Sequence, residues 1–150
     1  MAFNQVTGVR SSVGVPIFFH PMNSFLDFSY GEGECAPQVH LRWTPGAPRL
    51  VAMPCASAYA RPPGGDSWPV CDLAQLRRIA RLGKELNLWD DQAHVWGEDS
   101  CYTVDGTFWM LELVVGRRRY RATGCTYGAR FGLCQRLLGL KPAPSWDYRS

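Results

Sequence analysis

The sequence predicts a small α+β domain: an antiparallel sheet, made of a hairpin and a three-stranded meander, with two amphipathic helices packed on one of its faces. Three observations carry this. Two turn signals fall ten residues apart within 101–124, a run of leucines at helical spacing follows them, and a longer helical pattern precedes them. Strands that neighbour one another in sequence, with helices separating them only once, favour an antiparallel sheet over alternating βαβ units.

The meander is the best specified part. Asp105-Gly106 suits a two-residue type I′ turn, because Gly accepts positive φ without steric cost. Gly116-Arg117 suits type II′. Counting outward from both turns gives strands at 102–104, 107–115 and 118–123, with Tyr102 facing Trp109, Leu111 facing Ala122 and Leu113 facing Tyr120. The other face carries Phe108, Met110, Glu112 and Val114 beside Arg119, Arg121 and Thr123, with Glu112 opposite Arg121. After Gly124 the period changes: Phe131, Cys134 and Leu138 form one row and Leu133 and Leu137 another. A helix over 129–138 follows, stopped by Gly139 and the coming Lys141-Pro142.

The N-terminal part, 1–34, reads as irregular. Apolar clusters alternate there with breakers, and Phe25, Phe28 and Tyr30 fit a short strand or a single helical turn equally. Val39, Leu41 and Trp43 alternate with His40 and Arg42, the pattern of a half-buried strand. The turn-rich segment 44–48 returns the chain as 49–53 to complete the hairpin. A long Pro/Gly loop over 54–70 follows, holding Pro54, Pro62-Pro63, Gly64-Gly65 and Pro69. Asp72, with Gln75 three residues on, opens the best helix in the chain. Leu76, Ile79, Leu82, Leu86 and Trp89 form its apolar row, and Arg77, Arg78, Arg81 and Lys84 its basic face. The connection 90–100 is polar and carries His94 and Trp96. Trp146 and Tyr148 in the tail can dock on the body.

The 150 residues suit one domain, and 46% hydrophobic with 13% aromatic residues favours a folded globule over disorder. No apolar run approaches the roughly 20 residues of a membrane span, and the N-terminus lacks the basic and apolar regions of a signal peptide. A cytoplasmic protein without a membrane partner is expected. Six cysteines, Cys35, Cys55, Cys71, Cys101, Cys125 and Cys134, are spread through a chain with an ample core, so reduced and mostly buried thiols are expected.

Chemistry is thinly signalled. No C-x-x-C, H-x-x-x-H or H-E-x-x-H pairing supports a metal site, and the Gly-rich segments lack the strand-to-helix setting that cradles phosphate. No cofactor is expected. A thiol enzyme would need a base beside its cysteine, and Cys101 with His94 is the one pair worth naming as catalytic candidates. Binding is better supported. Tyr59, Arg61 and Trp68 in the long loop combine aromatic and guanidinium groups, the usual anchors of recognition surfaces, although they can equally fold back on the core. Arg117 and Arg119 on the hairpin, joined by Arg130 and Arg136, and Arg77 and Arg81 on the first helix offer a basic surface to an anionic partner, against a net charge of only +3. The leading expectation is a non-catalytic protein that binds another protein, in an inhibitor, adaptor or immunity-type role. Nucleic-acid binding through the Arg-rich hairpin and the basic helix face comes second, and thiol catalysis third.

One pattern extends beyond single motifs. The order Leu88-Trp89, Tyr102, Asp105-Gly106-x-x-Trp109-x-Leu111, Gly116-x-Arg118-x-Tyr120 and a closing Leu-rich helix resembles small uncharacterised bacterial α+β domains, over about the last half of the chain. Gly124 to Gly128 replaces their small polar loop. The resemblance implies a fold and a bacterial or phage origin; it implies no catalytic residue.

Overall fold

The computed structural model describes residues 23–31, 38–54, 68–97 and 108–140. Five strands form one antiparallel sheet: β1 (Phe25–Gly31), β2 (Val39–Trp43), β3 (Val51–Ala52), β4 (Phe108–Val115) and β5 (Arg118–Gly124), in spatial order β3-β2-β1-β4-β5. Two α-helices, α1 (Leu73–Glu85) and α2 (Ala129–Leu137), and a 3-10 segment (Asp90–Val95) complete the α+β fold.

The hairpins follow their turn chemistry. Gly46 at φ +94° follows Pro45, and the Ala47 N–H donates to Thr44 O at 3.1 Å, a type II turn that returns the chain so that Leu41 faces Ala52. Gly116 at φ +61° starts the β4–β5 turn. Leu111 then faces Ala122, Leu113 faces Tyr120 and Glu112 faces Arg121, the register obtained by counting from the glycine.

The third strand of the expected meander is corrected. The segment 102–104 lies outside the described residues, and the place opposite Trp109 reserved for Tyr102 is held by Tyr30 of β1 on one side and by Gly124 on the other. The stretch that fitted strand or helical turn equally is therefore a strand, and the central one. Its alternation explains the choice: Leu26, Phe28 and Tyr30 point to the core, flanked by Leu41 and Trp43 on β2 and by Trp109, Leu111 and Leu113 on β4. Leu26, Phe28, Leu41, Leu111 and Leu113 are wholly buried, each contributing on the order of 1.5–3 kcal/mol relative to exposure.

Asp72 caps α1 by accepting from the Gln75 N–H at 2.8 Å, worth about 1 kcal/mol. The helix ends at Glu85, earlier than the apolar row suggests. Asn87 takes φ +58°, Leu88 N–H bonds Gly83 O and Asn87 N–H bonds Lys84 O, a Schellman ending in which Asn plays the part usually given to Gly. Leu86 is consequently exposed, and Trp89 folds back over the last turn, its Nε1 donating to Ala80 O at 3.2 Å. α2 closes in the same way at Gly139, with Leu140 N–H on Gln135 O and Gly139 N–H on Arg136 O. Phe131 fixes α2 to the sheet: its ring meets Tyr30, Phe28, Tyr127 and Trp109 at centroid distances of 5.0, 5.9, 4.6 and 6.1 Å. Among the described residues no helix is long and apolar enough to cross a membrane.

Candidate functional site

On the sheet face away from the core, four strands contribute charges in one transverse row. Asp27 of β1 stands directly opposite Glu112 of β4, a like-charged pair that would destabilise the sheet if left alone. Cations flank it on both sides. His40 Nε2 lies 2.6 Å from Asp27 Oδ1, and Arg42 donates to both carboxylate oxygens at 3.1 and 3.0 Å, which raises the Arg42 pKa. On the other flank Arg119 pairs with Glu112. Although Glu112 stands opposite Arg121 in register, the ion pair forms diagonally, and Arg121 has no carboxylate partner among the described residues.

A second group of cations gathers where β5 approaches α1. By strand parity Arg118 shares a face with Tyr120 and Ala122, the face that carries the core, and at the end of β5 it reaches past the core edge towards the helix. Arg77, Leu73, Ser24, Val115, Gly116, Arg117 and Arg118 line a cavity of about 400 Å³. Arg118 also lines the next groove, of about 560 Å³, with Lys84, Arg119, Arg121, Asp90, Asp91 and Gln92. The rings of Trp89 and Tyr120, 5.2 Å apart, form part of that second wall. The two hollows meet at Arg118.

A cleft of about 810 Å³ opens over Ser29, Met110 and Thr123, which stand in register across β1, β4 and β5, beneath His94 of the 3-10 segment. Arg130 sits at its back and is corrected outright: expected on the basic surface, it is buried at 1% exposure. It donates to Thr123 O at 2.9 Å and Leu88 O at 2.7 Å, lies 3.3 Å from Asp90 Oδ1, and stacks 5.2 Å from the Trp109 ring centroid. A residue at the second position of a short helix carries no sequence mark of this burial. Asp90 also accepts from the Thr123 N–H at 2.8 Å, on the outer edge of β5.

The remaining candidates separate. Arg81 is exposed on α1, pairs with Glu85 at 3.6 Å and lines neither cationic hollow. Trp68 takes the inward alternative, half-buried against the core, with its carbonyl accepting from Arg49. Tyr59, Arg61 and Cys101 lie outside the described residues. Lys84, Arg118 and Arg121, which the sequence places on the basic helix face and the Arg-rich hairpin without choosing them as binding residues, belong to the groove. For Lys84 the signal was present, since it stands two helical turns after Arg77 on the same face.

The pairing of Cys101 with His94 lies partly outside the described residues, and the described thiols are others. Cys71 and Cys134 are buried and in no disulfide, and burial, followed by the nearby Asp72, pushes the Cys71 thiol up to about 11. Cys125 is disulfide-bonded, which corrects the expectation of reduced thiols for this residue; its partner lies outside the described residues. Among the described residues no three metal-ligating side chains come together. Compared with protein-family models, curated proteins and solved structures, the chain matches none.

Proposed function

We propose that this protein is a non-catalytic binder of single-stranded nucleic acid, held in the groove between α1 and β5. The observation that carries the reading is the meeting at Arg118 of two cationic hollows whose residues come from separate elements, Arg77 and Lys84 from α1 and Arg117 to Arg121 from the hairpin. A net charge of +3 is modest, but a local cluster is what a phosphate backbone meets. Tyr120 beside the cations, backed by the buried Trp89 ring, supplies aromatic surface of the kind on which an unpaired base stacks, for about 1–3 kcal/mol per base. Two carboxylates, Asp90 and Asp91, also line the groove, and Asp90 is already engaged by Arg130 and Thr123.

Fluorescence anisotropy of labelled single-stranded and duplex DNA and RNA, at low and physiological salt, tests this. The single strands are expected to bind at low salt and more weakly at physiological salt, with Arg118→Ala/Arg121→Ala reducing affinity by roughly tenfold or more. No binding at low salt removes the reading; preference for duplex reassigns the ligand.

A second reading, a protein partner engaged beside the Pro/Gly loop, is favoured by one observation. Val51 and Val70, near the two ends of that loop, are 50% and 64% exposed, next to the Arg49–Val70 bridge. Under this reading, Val51→Asp/Val70→Asp abolishes a complex that Arg118→Ala/Arg121→Ala retains, as read by affinity purification from the host. The opposite pattern returns the partner to the groove. The disulfide at Cys125 weighs against the expected cytoplasmic placement under either reading, since cytosolic thiols are kept reduced.

A further inference from the structure

We propose that the cleft of about 810 Å³ on the outer sheet face receives a nucleobase of the bound strand, with Arg121 on the phosphate at its entrance. This rests on the nucleic-acid reading and adds to it a place where bases are recognised as well as phosphates.

The groove and the cleft are continuous. Asp90 and Arg121 line both, so the two join at the outer margin of β5. Arg121 is exposed there and pairs with no carboxylate among the described residues, because Glu112, opposite it in the ladder, is taken by Arg119. Asp90 is held by Arg130 and Thr123. A strand in the groove therefore meets Arg121 at the mouth of the cleft.

The sheet changes character one step further on. Asp27, Glu112 and Arg121 form a charged row across β1, β4 and β5. Two residues along each strand, about 7 Å away, Ser29, Met110 and Thr123 form an uncharged one, which floors the cleft. Half-buried Phe108 and Met110 give it apolar surface. Ser29 gives it a polar group: it is 5% exposed, lines the cleft, and makes no side-chain hydrogen bond among the described residues. Apolar walls with a few polar groups suit an unpaired base, whose faces are apolar and whose edge is polar.

The overhanging wall is held in place, which lowers the ordering cost of binding. Asp90 of the 3-10 segment accepts from the Thr123 N–H at 2.8 Å, and Gln92 Nε2 donates to Lys84 O at 3.3 Å. His94, exposed on the same segment, stands over the cleft within reach of a base edge.

The test compares a labelled oligodeoxythymidylate with an abasic strand of equal length and charge, by fluorescence anisotropy on the full chain. The wild type is expected to bind the base-bearing strand about tenfold or more tightly. Ser29→Ala, which removes the hydroxyl, is expected to weaken that binding roughly threefold, and Met110→Trp, which fills the cleft, roughly tenfold. Both variants are expected to keep the wild-type affinity for the abasic strand. A loss confined to the base-bearing strand in either variant upholds the cleft as a base site. If the wild type binds but neither variant weakens, the base site is overturned and the groove reading stands. Equal wild-type affinity for the two strands overturns it as well, leaving a groove that reads phosphates alone. Variants that lose both strands alike overturn it too, since the bases then make no difference. If the wild type binds neither strand, both readings fall together.

Discussion

Replacing Arg130 by Met is expected to destabilise the fold by about 3–5 kcal/mol, a large share of the 5–15 kcal/mol that holds a typical domain together. The side chain is 1% exposed and ties α2 to two separate pieces of chain: the segment after α1, through the Leu88 carbonyl and the Asp90 carboxylate, and β5, through the Thr123 carbonyl. Methionine fills much of the volume but donates nothing, so two backbone acceptors lose their partner in a place water does not easily reach. Asp90→Asn separates the charge from the hydrogen bonds. Its side chain is 40% exposed, solvent screens the pair, and a cost near 1 kcal/mol is expected. Urea denaturation of the two variants checks both, and an Arg130→Met effect no larger than that of Asp90→Asn would show that the carbonyl contacts contribute little.

The second large effect has the opposite sign to the one helix propensity supplies. Gly83 is buried inside α1, where Gly→Ala ordinarily stabilises by about 1 kcal/mol. A Cβ there meets three atoms of the Trp89 indole at 2.5, 2.6 and 2.9 Å, and the indole is held by its bond to Ala80 O and by contact with Tyr120. Something must move, and overpacking of this kind costs on the order of 1–3 kcal/mol or more. Gly83→Ala is therefore expected to destabilise by about 2 kcal/mol, and to disturb the groove wall formed by Trp89 and Tyr120. Gly132 in α2 is the control: a Cβ there meets only Arg136 Nη1, at 3.6 Å. Gly132→Ala is expected to gain roughly 0.5–1 kcal/mol, and finding both variants stabilised would refute the close contact at Gly83.

These sites mark the boundary of what could be read from sequence. Local chemistry was legible: the turns at Gly46 and Gly116, the cap at Asp72, the stop at Gly139 and the β4–β5 register all follow from residues within a few positions of one another. The place of β1 was not, because its pairing with β4 spans some eighty residues of chain and no turn connects them. The same limit governs the candidate site. Two basic features were visible separately, but that Arg77 and Arg118 share a cavity depends on how far β5 extends beside α1. Arg130 and Arg119 failed as free surface charges for one reason: an arginine in a basic run looks the same whether or not a carbonyl or carboxylate waits across the fold.

The bond from Thr123 N–H to Asp90 has a consequence for association between molecules. An outermost strand offers its unpaired backbone groups as a template on which another chain can add. On the β5 side, one such donor is taken by Asp90, and the 3-10 segment that carries this carboxylate is held against the strand. On the other side, β3 is only two residues long, and the sheet margin beyond it is closed by the bridge from Arg49 to Val70. Among the described residues, both margins of the sheet are thus blunted. The carboxylate that helps to hold Arg130 in the interior also guards the fold against growing, strand by strand, into an aggregate.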